Sequence, residues 1–163
     1  HLRGTLIQPG EEPQVAMYEE ALDRAGAAGY GCYEISNFAK PGRECAHNLC
    51  YWRGEEYAAY GPGAVGKVDN VRYTILKHPD HYCAAVEGGA DPAYEQESLD
   101  EGMLRTERLM LGLRLAEGVS AEGVAPTAVA KLVERGWLET PNGRLRLSRL
   151  GRHFCTEATV ELL

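Results

Sequence analysis

Between Cys45 and Trp52 the chain places a thiol, an imidazole, a carboxamide, a second thiol, a phenol and an indole within eight residues. An imidazole such as His47 can ligate haem iron, and the protein then tunes the metal through that ligand and its surroundings. Tyr51 and Trp52 would offer flat apolar faces to a porphyrin with their polar tips free, and Asn48 could bond a propionate or hold the segment. A plainer reading makes His47 a loop histidine bonded to backbone and Trp52 a core residue; types and spacing leave both open. Downstream lies a glycine-rich turn, Gly61-Pro62-Gly63-Ala64-Val65-Gly66. The missing Cβ at Gly61 and Gly63 lets a ligand or another backbone approach. The turn lacks the full G-x-G-x-x-G pattern, and close strand packing would explain it equally well.

Other groupings point more weakly to chemistry. Cys45-x-His47 with Cys50 offers three metal donors and no fourth, which is poor for zinc. His78-x2-His81-x-Cys83 falls on a short helical stretch, where solvated histidines and a buried thiol are the simpler expectation. The five cysteines, Cys32, Cys45, Cys50, Cys83 and Cys155, show neither CxxC nor CxxxCxxC spacing. An odd count without a secretory signal suits reduced thiols. Glu34 could be a buried carboxylate, though such a residue more often meets solvent or a neighbour. Met103 and Met110 stand at helical spacing and read as core. Arg144, Arg146, Arg149 and Arg152 read as a solvated face. No catalytic residue is assigned.

Composition narrows the partners. The 163 residues carry 44% hydrophobic and 25% charged side chains, a globular balance for one large domain or two small ones. Residues 1–97 hold 8 basic against 15 acidic side chains, and residues 98–163 hold 9 of each. Neither half has the basic stripe a phosphate backbone requires, so nucleic acid is not expected. No apolar run is long enough to span a bilayer, and no signal region opens the chain, which points to the cytoplasm. The chain starts at His1 and enters an amphipathic helix almost at once, so a piece of a longer protein is expected.

Several elements must position these groups. Residues 1–12 read as an entry loop and Pro13 to Ala28 as a helix with the apolar stripe Val15, Tyr18, Leu22, Ala25 and a stop at Gly29. Tyr30 to Phe38 reads as one strand, which makes a helix-then-strand half of a βαβ unit. Residues 43–51 lack any apolar period and read as an ordered loop. Tyr57 to Tyr60 and Val71 to Leu76 read as strands, Pro79 to Glu87 as a helix, and 88–97 as a linker. Ser98 to Glu117 reads as a helix capped by Ser98, with Leu99, Met103, Met110 and Leu113 on one stripe widened by Leu104, Leu111 and Leu115. A second helix follows at Pro126 to Arg135, then a hairpin turning at Asn142-Gly143, then a helix from 148 to 163. Helix, helix, hairpin, helix is the order of a small winged-helix module.

Particular motifs carry a family resemblance. Tyr33-Glu34-Ile35-Ser36-Asn37-Phe38-Ala39, Pro41-Gly42, Cys45, His47-Asn48-x-x-Tyr51-Trp52 and Gly61-x-Gly63-Ala64 resemble the HemW-type radical SAM haem chaperones, relatives of oxygen-independent coproporphyrinogen III oxidase. The tail is similar too, through Leu111-Gly112-Leu113-Arg114-Leu115, Gly136-Trp137-Leu138 and Leu147-Ser148-x-x-Gly151. The likeness runs from about residue 13 to the end, and the HNxxYW run separates these proteins from the true oxidases.

The resemblance implies an α/β fold overall, α+β in this piece. The end of a (βα)6 partial barrel would occupy residues 1–90, and a winged-helix-like helical domain, capping the barrel rather than reading DNA, residues 91–163. It implies that His47 binds haem iron, that Asn48, Tyr51 and Trp52 shape that site, and that Gly61, Gly63 and Ala64 lie near the S-adenosylmethionine and substrate mouth. Val65 stands where these proteins often have histidine, and the segment after Gly118 is shorter than usual. Family members hold a [4Fe–4S] cluster through a CxxxCxxC run that is not in this sequence. The implied role is haem binding and delivery to a haem-requiring partner, with membranes reached only through that partner and a dimer left open. The alternatives are a coproporphyrinogen oxidase, which oxidatively decarboxylates two propionates, and a stand-alone winged-helix adaptor without cofactor.

Overall fold

The computed structural model describes residues 8–163. The first seven positions of the expected entry loop lie outside the described residues. The first helix, α1 (Glu11–Ala27), starts before Pro13, with Glu11 and Glu12 in its first turn and Arg24 in its last, where the helix dipole favours each sign. Tyr18, Leu22 and Ala25 of its stripe are half-buried, whereas Val15 is exposed. Polar contacts dock the helix instead: Tyr18 donates its hydroxyl to Ile35 O at 2.8 Å. Glu19 lies 2.6 Å from His153 Nε2 and accepts from Arg149 Nε at 2.5 Å. Arg149 also reaches Asp23 at 2.7 Å.

The stretch expected as one strand is a hairpin, β1 (Gly31–Glu34) against β2 (Asn37–Ala39). Glu34 makes the reversal, because its Oε1 accepts the Ser36 N–H at 2.8 Å and the Asn37 amide at 2.5 Å. Every strand pairing among the described residues is antiparallel. The expected loop at 43–51 is also corrected, since Ala46–Trp52 is a helix, α2.

Next comes a three-stranded sheet of β3 (Val65–Val68), β4 (Val71–Ile75) and β5 (Ala93–Ser98), with α3 (Pro79–Glu87) between the last two. Asp69 and Asn70 turn β3 into β4 with φ of 52° and 58°, the left-handed pair a tight hairpin needs. Tyr57 to Tyr60 is no strand; Tyr57 alone bridges Lys67. Gly66 faces Tyr73 across the hairpin, and the Tyr73 ring fills the space a Cβ would take. The expected linker at 88–97 contains most of β5, paired to β4 from Ala93 to Ser98.

The remaining elements surround the main core. They are α4 (Glu101–Gly112), β6 (Val119–Ser120), α5 (Pro126–Glu134), β7 (Leu138–Glu139), β8 (Arg144–Leu147) and α6 (Cys155–Leu162). The strands order as β6-β8-β7. Asp100, not Ser98, caps α4, its Oδ1 accepting from Met103 N at 2.8 Å. The helix stops at Gly112, short of the expected Glu117, and the final helix begins with a 3-10 turn at Gly151–Phe154 instead of at 148. Leu109, Leu113, Leu132, Leu138, Leu145, Leu147, Ala158 and Leu162 form one buried cluster to which each of these elements except β6 contributes. Met103 and Met110 are 37% and 45% exposed, so the reading of both as core is overturned. The arginines expected as a solvated face are largely engaged: Arg146 pairs with Glu139, and Arg144 donates to the carbonyls of Glu117 and Gly118.

Two consequences can be measured. A Cβ at Gly151 would overlap the Trp137 carbonyl, so Gly151→Ala should cost about 3 kcal/mol or more in urea unfolding. Gly136→Ala, at φ 72° in open space, should cost only about 1 kcal/mol. Burial pushes the Glu19 carboxyl up, but the bonds from His153 and Arg149 outweigh it and hold it below the ordinary glutamate value. A carboxyl with a depressed folded pKa stabilises above its unfolded pKa and loses that contribution as pH falls through the folded value. Unfolding followed below the ordinary glutamate range should therefore show a stability loss that is smaller in Glu19→Gln.

Candidate functional site

Helix α2 divides the HNxxYW residues between two faces. Residues four apart share one face of a helix, so His47 pairs with Tyr51 and Asn48 with Trp52. Outward, the His47 imidazole is exposed and meets the Tyr51 ring edge-on at 4.8 Å between centroids. Tyr51 in turn meets Tyr57 at 4.5 Å, also edge-on. This row of three rings presents an imidazole on a braced aromatic surface. The His47 ring makes no hydrogen bond among the described residues.

Inward, the same helix is anchored. Asn48 Nδ2 donates to the Tyr33 hydroxyl at 3.1 Å, so Asn48 holds the helix to β1. The Arg114 guanidinium lies 4.3 Å from the Trp52 ring centroid, a cation–π stack, and one Trp52 face is therefore taken. Arg114 also reaches Glu34 Oε2 at 3.4 Å, where the Glu34 side chain is fully buried. Trp52 Nε1 and Arg114 Nε are buried without a hydrogen-bond partner. After α2, Arg53 forks onto Glu117, with Nε–Oε1 and Nη2–Oε2 both at 3.1 Å. The buried Lys67 donates Nζ to Gly54 O at 2.5 Å. Desolvation, with Arg72 and Arg108 nearby, lowers the Lys67 pKa.

The glycine turn lies next to the sheet. Gly61 and Gly63 have φ of 96° and 73°, and nothing lies within 4 Å of a Cβ placed at Gly61. Gly61 borders a hollow of about 420 Å³ with Tyr60, Tyr73, Tyr82 and Gln96. Ala64 is half-buried, and Val65 is exposed at the start of β3. The contacts that connect the turn to α2 run through Tyr57 and Lys67. The structure thus joins His47, Tyr51 and Tyr57 on one surface and sets Asn48 and Trp52 behind it.

Metal donors are dispersed. Among the described residues no three of His, Cys, Asp and Glu lie close enough to hold a metal ion. Burial pushes the Cys32, Cys50 and Cys155 thiols up, away from the thiolate a metal requires. The Cys45-x-His47 and His78-x2-His81-x-Cys83 groupings form no site, although the His78 and His81 rings stand 4.8 Å apart. Sequence reasoning passed over Tyr33, Tyr57 and Arg114 as site-building residues. The i, i+4 spacing within HNxxYW was the available signal for α2, and no sequence signal joined Arg114 to Trp52.

These features define the class: an α+β chain whose residues 100–154 match the HemN C-terminal domain. It is 37% identical over 99% of its length to the heme chaperone HemW of Mycobacterium tuberculosis, covering 42% of that protein. It is 30% identical to HemW of Bacillus subtilis over 92% of this chain and 42% of that one. With a radical S-adenosyl methionine domain-containing protein of Danio rerio it shares 33% identity over 72% of its length and 28% of that protein. Coproporphyrinogen III oxidase from Escherichia coli, described as a radical SAM enzyme, has the same fold over 94% of this chain and 42% of that structure, at TM-score 0.72 and 12% identity. The chain belongs to the HemW family, and it spans about two fifths of the length of the curated relatives named first.

The buried network carries the prediction. Glu34→Ala would strip the acceptor from Ser36 and Asn37 and leave Arg114 without its carboxylate, so urea unfolding should show a loss of about 3 kcal/mol.

Proposed function

We propose that this chain is the haem-handling part of a radical SAM haem chaperone, with haem as its cargo and His47 as the iron ligand. The observation that carries this reading is the placement of His47: exposed, braced by Tyr51, and set on a helix whose opposite face is bolted to the protein. Haem needs an imidazole open to the iron and an apolar surface beside it, and the His47–Tyr51–Tyr57 row fits both needs. In this reading Tyr51 contacts the porphyrin and orients the imidazole. Asn48 and Trp52 serve the site from behind, by holding α2 in place against Tyr33 and Arg114. A surface imidazole also suits a carrier, since the ligand must be released to an acceptor protein.

The whole protein's activity is part of the proposal. A [4Fe–4S] cluster and S-adenosylmethionine would belong to a (βα)6 partial barrel whose C-terminal end residues 1–90 would form. The described residues offer no donor set for the cluster. Gly61, Gly63 and Ala64 would face the mouth of that barrel, their open backbone giving a ligand close approach. In this picture residues 1–90 carry the haem and residues 91–163 form a winged-helix-like cap. Delivery to a haem-requiring protein in the cytoplasm follows, with membranes met only through that acceptor. Among the described residues no helix is long and apolar enough to cross a membrane. Relatives named heme chaperone favour this reading over a coproporphyrinogen oxidase, for which the fold likeness and the HemN C-terminal domain match speak.

A haem titration followed by Soret absorbance tests it. The unmodified chain should give a saturable shift, and His47→Ala should lose it while keeping the same urea midpoint. Equal shifts in the two proteins would remove His47 as the ligand.

A further inference from the structure

One concavity among the described residues is lined by none of His47, Tyr51 and Tyr57. A groove of about 660 Å³ runs between α4, the loop 119–124 and the end of α6. That volume is in the range of small-molecule sites. Leu109, Val119, Val124 and Leu162 give it an apolar floor, while Arg105 and Arg108 stand on its α4 wall. Three residues apart on a helix, these two arginines share a face. Both are exposed, and neither forms an ion pair among the described residues. Other arginines are taken: Arg53 by Glu117, Arg72 by Glu97 and Glu107, Arg135 by Glu161, Arg149 by Glu19 and Asp23. Arg43, Arg144 and Arg152 also lack an ion pair among the described residues, but none of them borders this groove. Two unpaired guanidinium groups beside an apolar trough, in a chain of net charge −7, mark a place built for acid groups on a greasy body.

We infer that this groove binds a tetrapyrrole through its side-chain carboxylates, with Arg105 and Arg108 as the carboxylate clamps. The inference rests on the haem-chaperone reading for its ligand class, but not on His47. Guanidinium groups bind carboxylates in a planar two-point geometry, and the apolar floor takes the macrocycle edge. Glu101 and Glu122 also line the groove; they repel a polyanion and leave room for a ligand whose negative charge is confined to one edge. Arg108 further lies beside the turn that ends α2, its Cγ 3.8 Å from the Cβ position of Gly54. Occupancy of the groove therefore touches the segment that follows the His47 helix.

Metal-free protoporphyrin separates the two sites, because it has the carboxylates and no iron for His47 to ligate. Its fluorescence is titrated with the unmodified chain, with Arg105→Gln/Arg108→Gln, with Arg105→Lys/Arg108→Lys and with His47→Ala. The glutamine pair should bind about tenfold more weakly or worse. The lysine pair should retain part of the affinity, and His47→Ala should bind as the unmodified chain does. Protoporphyrin dimethyl ester should bind as weakly to the unmodified chain as the acid does to the glutamine pair. Undiminished binding by the glutamine pair, or equal binding of ester and acid, overturns the groove. Loss of protoporphyrin binding in His47→Ala alone would also overturn it, while leaving the haem reading intact. Because both arginines are exposed, the variants should keep the parent's circular dichroism; a glutamine pair that binds weakly only because it is unfolded would be exposed by intact binding in the single variants, which overturns the clamp.

Discussion

Arg114 is the residue on which the three motif-bearing segments converge. Its guanidinium has the Trp52 ring on one side and the buried Glu34 carboxylate within reach on another. Glu34 meanwhile makes the β1–β2 reversal, and Trp52 ends α2. A buried carboxylate without a cation would be costly, so the hairpin, the helix and the turn after α4 depend on one another. Arg53 with Glu117 and Asn48 with Tyr33 reinforce the same junction from its edges.

The apolar core is placed elsewhere. All members of the main buried cluster come after residue 108, and all but Ala158 and Leu162 lie in the part that matches the HemN C-terminal domain. Earlier segments are joined to the later ones largely through polar links, Glu19 and Asp23 to Arg149 and Arg53 to Glu117, with Ile35 packed against the core. Such links fix orientation more than they add stability, since exposed ion pairs contribute little. The His47–Tyr51–Tyr57 surface thus rides on a scaffold whose stability is generated at a distance from it.

How far the sequence could be read follows from what holds each element. Helices α1, α3 and α5 and the Asn142-Gly143 hairpin were legible because their stops, caps or turn residues act locally. Helix α2 was not, because seven residues with one polar and one mixed face show no apolar period. The reversal at Ile35-Ser36 was hidden since it depends on a glutamate side chain rather than on glycine or proline. Strand β5, Ala-Tyr-Glu-Gln-Glu-Ser, resembles a linker because backbone pairing to β4 holds it while most of its side chains meet solvent. Met103 and Met110 kept the right spacing for a core, yet Leu109 and Leu113 took the inward positions. For the site, His47, Asn48, Tyr51 and Trp52 were visible as a cluster, whereas their division between two faces required the helix. Arg114 was recognisable as part of a motif, but its contact with Trp52 spans a separation no local pattern reports.

That division has a consequence for how variants of such a chain are interpreted. A substitution at Trp52 or Asn48 acts on the mount, and one at His47 on the instrument it carries. Both would silence a ligand signal, so silence at the four positions of the motif is not one phenotype. A set of alanine variants ranked only by lost signal would credit Trp52 with a contact that belongs to Arg114. Scored together with the integrity of the chain, the same set would separate the residues of the outward row from those that keep the platform level.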